Sequence, residues 1–466
     1  MKICMITTMT PASENIRGTS ALPYHLLKGL GNLKGAVHPS PPEGGCAELP
    51  PPYSPPFRGT GGGQDEIVVY TFNNNGLTEE QMRQTEQELG VTIHTVPLPR
   101  WFRIVFKYHL LFIRLFLKYP IHHYVKLPQR FVEEIKAQQP DLIWVYGAEW
   151  SRVTRQFDGY RRLHTMPDSE ALYYYRMLGQ RFVTRDWKQY WRCALMYPKF
   201  LALERDYATD ETITYHLVGE EDANFLRQMN PGIQVRFLRH PHYAVRERGE
   251  IRFHQPKIRL LVAGQYNLYM QQTADEVLEY LTAISHKPLA ISPSPSDTLL
   301  SSPPKGGAVA ATTDSSPFRG LGGQELALQA LYSITFLGKG WERHVAALRE
   351  LGFEVEHIKF APDYIEEIIK HDIQVTPITI GTGTKGKVLD ALANGLLVLG
   401  TPMAMENIAV KHGESCVVWQ TPQQLVAALH DIARDPARYE AMAAAGRTAV
   451  LTHHNPTTIA KQLFGD

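Results

Sequence analysis

Short apolar segments alternate with amphipathic segments along most of this chain, in two separate series. The first series contains KICMITTM, EIVVYTFN and DLIWVYG, and the second contains KIRLLVAG, SITFLGKG, FEVEHIKF, DIQVTPITI and LLVLGTP. Apolar runs of this length are typical of buried parallel strands, and the amphipathic segments between them predict helices. Alternating strands and helices build doubly wound parallel sheets. The sequence therefore predicts an α/β protein with two Rossmann-like domains.

The chain of 466 residues is long enough for two hydrophobic cores. We place the first domain at residues 1–250 and the second at 251–445, with a C-terminal tail or helix at 446–466. Doubly wound sheets bind their ligands beyond the carboxyl ends of the strands. Where two such sheets face each other, that position is the cleft between the domains, so we expect the functional site there.

Two segments, 31–64 and 288–324, interrupt this alternation and resemble each other. PPEGG leads into SPPFRGTGGGQ in the first, and PPKGG leads into SPFRGLGGQ in the second. Segments so rich in Pro, Gly and Ser bury little apolar surface, and two copies do not make a repeat architecture. We predict low-complexity, disordered inserts. A mobile DNA element translated in frame would explain their similarity, and a proline-rich docking site is the functional alternative.

The composition limits the possible partners and compartments. Lys+Arg total 48 and Asp+Glu total 47, so no basic excess favours nucleic acid. The four cysteines are scattered without a CxxC pair, which indicates a reducing compartment without disulfides or structural zinc. No uncharged run reaches the ~18 residues of a membrane-spanning helix. We expect a cytoplasmic protein that does not bind nucleic acid.

The stretch PITIGTGTKGKVLDALANGLLVLGTP, at 377–402, places a turn of small residues between a strand and a helix. Gly381, Thr382 and Gly383 form the turn, and we predict the helix over 384–394. Free backbone amides at a helix start, beside glycines that permit close approach, suit a phosphate group. This turn is therefore a candidate phosphate site.

Two lysines and one aspartate in the predicted helix extend that site. Lys385 and Lys387 add positive charge at the end where a phosphate would bind. Asp390 follows Lys387 by three residues, so both lie on one helix face. A carboxylate there can accept hydrogen bonds from the two hydroxyls of a ribose. Diphosphate and ribose together are half of a nucleotide sugar. Ordinary helix capping with a solvated lysine pair is the alternative.

This stretch resembles the signature of retaining glycosyltransferases of the GT-B fold, of the group 1 or family 4-like type. In that family a Gly-x-Gly turn, a basic residue, a lysine and an LEA-A-G-PVV-T run follow one another. The resemblance covers most of the second half of the chain. Asp390 stands where the family usually has Glu, which keeps the charge but shortens its reach. The resemblance implies two facing Rossmann-like domains and sugar transfer from a nucleotide-diphospho-sugar with retained configuration.

The first half resembles the same family more faintly. HTMPDSEALYYYR, at 164–176, is similar to the family's D-x-x-D-S-x-S-x-x-Y-x-R stretch, and Asp168 matches it. Arg17 and Gly18 occupy the loop after the first strand, where the family contacts the donor phosphate. VAGQYNLY, near the start of the second domain, is similar to vG-xxxx-N. Gly264 and Asn267 carry that match.

The resemblance implies roles for these residues. We assign catalytic roles to Asp168, Lys387 and Asp390. The donor-binding residues would be Arg17, Gly18, Gly264, Asn267, Gly381, Thr382, Gly383, Lys385, Lys387 and Asp390. The sequence contains no Asp-x-Asp, so we expect neither a metal nor another cofactor. The charge of the departing diphosphate would be neutralised by the lysines, the helix dipole and Arg17.

The segment RWFRIVFKYHLLFIRLFLKYP begins at residue 100 and combines aromatic, aliphatic and basic residues. A continuous helix would place Arg103, Lys107, Arg114 and Lys118 on one narrow stripe. A basic amphipathic helix suits an anionic membrane surface, whereas a core helix with a charged outer edge is the alternative. We expect peripheral contact of 100–119 with the inner face of a membrane, and a glycan or lipid-linked acceptor.

Two other functions remain open at this point. A sugar-nucleotide epimerase of the same fold would use the donor and water without an acceptor. A non-catalytic binding or structural protein of the GT-B fold is the second alternative. Three features keep that second alternative open: the aspartate at position 390, the two inserts, and Ile380, which stands where the family's longer form has another glutamate.

Overall fold

A computed structural model describes residues 1–13, 18–35, 66–285 and 327–465. Residues 31–35 of the first insert continue the first helix. The remainder of both inserts, and with it their predicted disorder, lies outside the described residues.

Within the described residues, all strands belong to two parallel sheets. The first sheet has the order β3-β2-β1-β4-β5-β6-β7, and the second has the order β10-β9-β8-β11-β12-β13. The strands are β1 Lys2–Thr7, β2 Glu66–Thr71, β3 Thr92–Thr95, β4 Leu142–Tyr146, β5 Arg162–Thr165, β6 Ile213–Leu217, β7 Val235–Phe237, β8 Ile258–Ala263, β9 Tyr332–Leu337, β10 Glu354–Ile358, β11 Ile373–Thr376, β12 Leu397–Gly400 and β13 Val417–Val418. The two predicted doubly wound sheets are confirmed.

Helices connect these strands, as the alternation predicts. They are α1 Gly18–Gly35, α2 Glu79–Leu89, α3 Arg100–Lys107, α4 Gln129–Ala137, α5 Ser151–Thr154, α6 Glu170–Val183, α7 Trp187–Arg205, α8 Glu220–Met229, α9 Gln271–Ser285, α10 Leu328–Leu331, α11 Glu342–Glu350, α12 Tyr364–Ile368, α13 Gly386–Ala393, α14 Pro402–Met405, α15 Pro422–Arg434, α16 Pro436–His453 and α17 Pro456–Phe464. Helix α2 shows how local sequence sets the bounds. Thr78 caps it in a capping box, and Gly90 ends it with φ 63°.

The helix predicted over 384–394 is shorter in the structure. Helix α13 begins at Gly386, because Lys385 has the extended conformation of an N-cap residue (φ −84°, ψ 93°). The strand before it ends at Thr376, ahead of a proline that has no amide for the ladder. Gly395 ends the helix with φ 81°, as expected.

The single basic helix predicted over 100–119 is wrong. Helix α3 stops at Lys107, and a 3₁₀ helix covers Leu111–Phe116. Between them, His109 has φ 53°, a left-handed conformation that interrupts a helix. The basic residues of this segment therefore do not share one helical stripe, although several of its apolar side chains are exposed.

The C-terminal helices pack on different sheets. Helix α16 contacts α13 of the second domain, whereas α17 packs against α1 of the first. The Phe464 ring meets the buried Trp144 of β4 edge-on, with centroids 4.9 Å apart. Gly29 of α1 allows this approach, because a Cβ atom there would lie 2.3 Å from the Pro456 carbonyl oxygen. The end of the chain thus returns to the first domain.

The contact between α1 and α17 can be tested with two glycines of the same helix. Gly29→Ala forces α17 away, so we expect a loss of about 1–3 kcal/mol in the free energy of unfolding. Gly31→Ala is the matched control, because no described residue lies within 4 Å of its added Cβ. Better helix propensity should there give a gain of up to about 1 kcal/mol. Urea unfolding measures the free energy of unfolding of both variants. Equal effects of the two substitutions would contradict the close contact.

Candidate functional site

The loops after the strands of the two sheets meet in the cleft. The Gly383 amide donates a hydrogen bond to Asp222 Oδ2 (3.2 Å), and the Thr384 hydroxyl donates one to the Val218 carbonyl (3.0 Å). Asp222 Oδ1 accepts a second bond from the Ser169 amide (2.9 Å). One buried carboxylate therefore joins the glycine turn of the second domain to the start of α6 in the first.

Asp168 lies against the same glycine turn. Gly383 has φ +60°, and a Cβ atom there would lie 1.7 Å from Asp168 Oδ1. Only glycine fits this position, both for its conformation and for its space. Burial raises the pKa of the Asp168 carboxyl, and the neighbouring Asp222 raises it further, while Lys385 opposes both. The structure thus places Asp168 at the junction of the domains.

Lys385 holds the turn together. Its ammonium donates hydrogen bonds to the carbonyls of Thr382 (3.2 Å) and Gly383 (2.9 Å) and forms an ion pair with Glu406 (3.2 Å). Burial lowers the pKa of Lys385, and the Glu406 charge opposes this. The charge of Lys385 is therefore already matched inside the protein.

Arg176 is a site residue to which the sequence analysis assigned no role. It lies on α6 and binds both carboxylate oxygens of Glu406 (3.1 and 3.0 Å). It also donates to the Gly381 carbonyl (2.7 Å). Because Glu406 and Gly381 belong to the second domain, this guanidinium ties the domains together. Its signal in the sequence is its place as the final arginine of the 164–176 stretch.

Lys387 and Asp390 lie one turn apart on α13, as predicted. Asp390 Oδ1 is buried and has no hydrogen-bond partner among the described residues. Burial raises the pKa of Asp390 to about 7, and Lys387 opposes the shift. The hydroxyl of Tyr364 is also buried there without such a partner. A buried acceptor that lacks a donor is costly, and a bound ligand that supplies one would remove the cost.

Lys387 differs from Lys385 because its charge is not matched by an ion pair. Its ammonium lies 5.3 Å from the centroid of the Tyr364 ring, and no hydrogen bond or ion pair reaches it from the described residues. The protein around it lowers the pKa of its ammonium, although the residue as a whole remains exposed in the cleft. A Cβ atom at Gly264, which has φ +137°, would come within 3.9 Å of this ammonium. Gly264 therefore lies beside this lysine.

Two tyrosines of the first half, Tyr146 and Tyr243, lie near the aspartates of the site. Burial, the hydroxyl of Tyr146 and the charge of Asp390 all raise the pKa of Tyr243. Tyr243 stacks on His25 of α1, with centroids 4.3 Å apart. Burial and the charge of Asp168 raise the pKa of Tyr146 at the end of β4. Tyr146 was missed because an aromatic side chain in an apolar run is typical of ordinary core. Tyr243 lies in the polar stretch RHPHYAVRERGE, where no local pattern indicated a role.

The remaining predicted donor residues are placed differently. Asn267 caps the turn into α9, where its side-chain oxygen accepts from the Tyr269 amide (3.1 Å). Gly18 is the first residue of α1. Arg17 lies outside the described residues, so its role remains a prediction.

Comparisons with known proteins agree with this architecture. Residues 323–465 match the family model described as glycosyl transferase-like. No curated protein matches the sequence significantly.

Solved structures match nearly the whole chain. Anabaena HepE in complex with UDP has 11% identity and a TM-score of 0.53, over 99% of this chain and 98% of that one. Sucrose-phosphate synthase from Thermosynechococcus elongatus has 13% identity and a TM-score of 0.55, over 99% and 97%. A glycosyltransferase from Rickettsia africae has 10% identity and a TM-score of 0.51, over 99% of this chain and 96% of that one. The chain has the GT-B fold. At these identities the likeness establishes the fold alone, and it confirms the expected GT-B architecture.

Two further observations concern the described parts of this GT-B chain. No three His, Cys, Asp or Glu residues within them are grouped as metal ligands. No helix within them combines the length and the apolar character that crossing a bilayer requires.

The buried carboxyl of Asp390 predicts a pH-dependent stability. An ordinary aspartate has a pKa of about 3.9, so a folded-state value near 7 makes ionisation less favourable in the folded protein than in the unfolded chain. Raising the pH from about 4 to about 7 should therefore lower the stability of the wild type. Asp390→Asn removes this effect. We expect its melting temperature to exceed that of the wild type by more at pH 8 than at pH 5.

The control for this experiment is Glu356→Gln, which changes an exposed carboxyl on β10. Its melting temperature should differ from that of the wild type by the same small amount at both pH values. An Asp390→Asn difference that is likewise independent of pH would contradict the raised pKa.

Proposed function

We propose that this chain is a glycosyltransferase that moves a sugar from a nucleotide-diphospho-sugar to a glycan or lipid-linked acceptor, with retained configuration and without a metal ion. One observation carries the proposal. In the cleft of a GT-B fold, near the start of α13, Asp390 Oδ1 is buried and finds no partner in the described part of the chain, and no ion pair from that part reaches the neighbouring ammonium of Lys387. The match of residues 323–465 to a glycosyl transferase-like model supports it.

In this proposal the donor diphosphate binds beside Lys387. The amides of Gly386 and Lys387 donate no hydrogen bond to the described residues, whereas the Val388 amide already donates to the Lys385 carbonyl (2.9 Å). Gly264 leaves room for a close approach to these two amides. Lys387 would stabilise the negative charge that develops as the diphosphate departs. Lys385 is already paired with Glu406, so we assign it to holding the turn rather than to binding the donor.

The nucleoside ribose would bind at Asp390. Its two hydroxyls donate hydrogen bonds, which is what the buried Oδ1 lacks. Ionised Asp390 is the better acceptor, so donor binding should also draw its pKa downward. We take a uridine donor as the first to test, because the solved structure of Anabaena HepE contains UDP.

Asp168 would act by positioning rather than as a nucleophile. Its Oδ1 lies against Gly383, on the turn that leads into α13. Attack by the acceptor hydroxyl would come from the face that the diphosphate leaves, which retains the configuration. Contact between the domains around this turn would exclude water and protect the donor from hydrolysis.

We further propose that the protein works at the cytoplasmic face of a membrane, where a lipid-linked acceptor would lie. Residues 100–119 support this despite the break in their helix. Trp101, Phe112 and Phe116 are 40%, 60% and 82% exposed. The basic residues between them would contact anionic headgroups.

The phosphate contact is tested by Lys387→Ala. Removing a charge-assisted contact should weaken binding of UDP and its sugars by about 1.5–3 kcal/mol. Calorimetry measures the affinity, after a thermal-shift panel of UDP, GDP, ADP and their sugars has identified the base. Lys359→Ala is the control, because this exposed lysine pairs with Glu342 on the surface. Unchanged affinity in a folded Lys387→Ala protein would overturn the assignment.

The ribose contact is tested with a nucleoside diphosphate and its 2′-deoxy analogue. The wild type should prefer the ribose form, and Asp390→Asn should lose that preference because an amide oxygen is a weaker acceptor. Asp390→Glu should retain it, since the charge is kept. Absence of any preference in the wild type would remove Asp390 from the ribose site.

Catalysis is tested by incubating the enzyme with the donor that binds best, with and without candidate glycan or lipid-linked acceptors. A product with the donor's anomeric configuration, formed only with an acceptor, is expected. Isomerised sugar nucleotide without an acceptor would indicate an epimerase. Nucleotide binding without any turnover would indicate a binding protein.

A further inference from the structure

Helices α6 and α7 pack together as a hairpin whose turn is exposed at the surface of the first domain. Arg181 and Asp186 form an ion pair across the turn (2.8 Å), and Asp186 also caps α7 by accepting from the Gln189 amide (3.3 Å). The Thr184 hydroxyl donates to the Gln180 carbonyl (3.0 Å). The turn is therefore held in one shape by its own polar groups, which makes its surface a defined one. We call residues 182–192 the hairpin tip.

The hairpin tip exposes large apolar side chains. Phe182 is 59% exposed, Val183 72%, Trp187 50% and Trp191 68%. Their rings are neighbours, because Phe182 and Trp187 have centroids 6.0 Å apart and Tyr190 lies within 6 Å of both tryptophans. A contiguous exposed aromatic surface marks an interaction site rather than ordinary surface composition.

The charges of the hairpin tip are positive. Arg185, Lys188 and Arg192 are exposed, and no ion pair reaches them from the described residues. The acidic residue of this segment, Asp186, is already paired with Arg181. The tip thus combines tryptophan rings with three unmatched cations, which is complementary to an anionic surface.

A second copy of this chain is a poor partner for such a surface. A symmetric contact between two hairpin tips would bring like charges together around the aromatic patch. A bilayer with anionic headgroups does not bring like charges together. Tryptophan rings are favoured at the membrane interface, and Lys and Arg side chains bind the lipid phosphates.

The hairpin tip is connected to the exposed part of residues 100–119 through α7. Lys199 of α7 donates a hydrogen bond to the Leu117 carbonyl, and Lys118 pairs with Asp206 at the end of α7 (2.7 Å). Trp191 is eight residues before Lys199, which is about 12 Å along the helix axis. Residues 117 and 118 therefore contact the same helix that carries the hairpin tip.

We propose that the hairpin tip is a membrane anchor, which inserts its tryptophans at the interface of an anionic bilayer. The inference deepens the membrane role proposed above and assigns it to a different segment. Helix α6 also contacts the second domain, through Arg176 with Glu406 and through Gln180 with Gln272 (3.0 Å). A bilayer bound at the tip would thus lie beside the cleft, where a lipid-linked acceptor must enter.

Vesicle sedimentation tests the anchor with the full chain. The wild type should bind vesicles of phosphatidylcholine with phosphatidylglycerol, and bind those of phosphatidylcholine alone more weakly. The double variant Trp187→Ser, Trp191→Ser should lose roughly tenfold or more in vesicle affinity, because both changed residues are exposed and interfacial. Phe360→Ser is the matched control, since Phe360 is 71% exposed on the loop after β10 in the second domain. It should bind as the wild type does.

The outcomes separate this inference from the proposed function. Nucleotide affinity, measured by calorimetry, should be equal in the wild type and the double variant, whether or not transfer activity is found. Vesicle binding that is unchanged in the folded double variant would overturn the anchor, as would absence of binding by the wild type. Light scattering could instead show that the wild type and Phe360→Ser are dimers that do not bind vesicles, and that the double variant is a monomer. That result would assign the tip to self-association.

Discussion

The absence of a side chain at position 383 is the constraint on which the arrangement of the cleft depends. Gly383 lets the second domain approach until its amide bonds to Asp222 and its backbone meets Asp168. A Cβ atom there would lie 1.7 Å from Asp168 Oδ1, so the Asp168 carboxylate could not keep its place. The two buried carboxylates repel each other, so the neighbouring amides and cations are required to hold them in place. The proposed donor site is built on this contact.

The charges around the turn divide into matched and unmatched groups. Lys385 and Arg176 are both satisfied by Glu406, and they hold the domains and the turn in register. Lys387 and Asp390 follow Lys385 by two and five residues, yet within the described part of the chain no ion pair reaches Lys387 and Asp390 Oδ1 has no hydrogen-bond partner. Matched charges fix geometry, whereas unmatched charges in a cleft are available to a ligand. This difference is the physical basis for assigning the first pair to positioning and the second to the donor.

Helix α6 connects the cleft to the surface. Ser169 caps its first turn beside Asp168, Arg176 binds the second domain at its middle, and Phe182 is exposed at its end. A rigid helix that contacts both domains couples its own orientation to that of the cleft. An anchor at its end would therefore place the acceptor entrance towards the bilayer.

The sequence by itself determined the two parallel sheets, the glycine turn with its lysines, and the shared face of Lys387 and Asp390. Each of these follows from local periodicity or spacing, which a single chain segment carries. Only the tertiary structure decided that Lys385 is paired with Glu406 and that Asp168 meets Gly383. Those contacts join residues that are 21 and 215 positions apart. The helix break at His109 likewise could not be predicted from the sequence, because its left-handed conformation depends on tertiary packing and not on a local pattern.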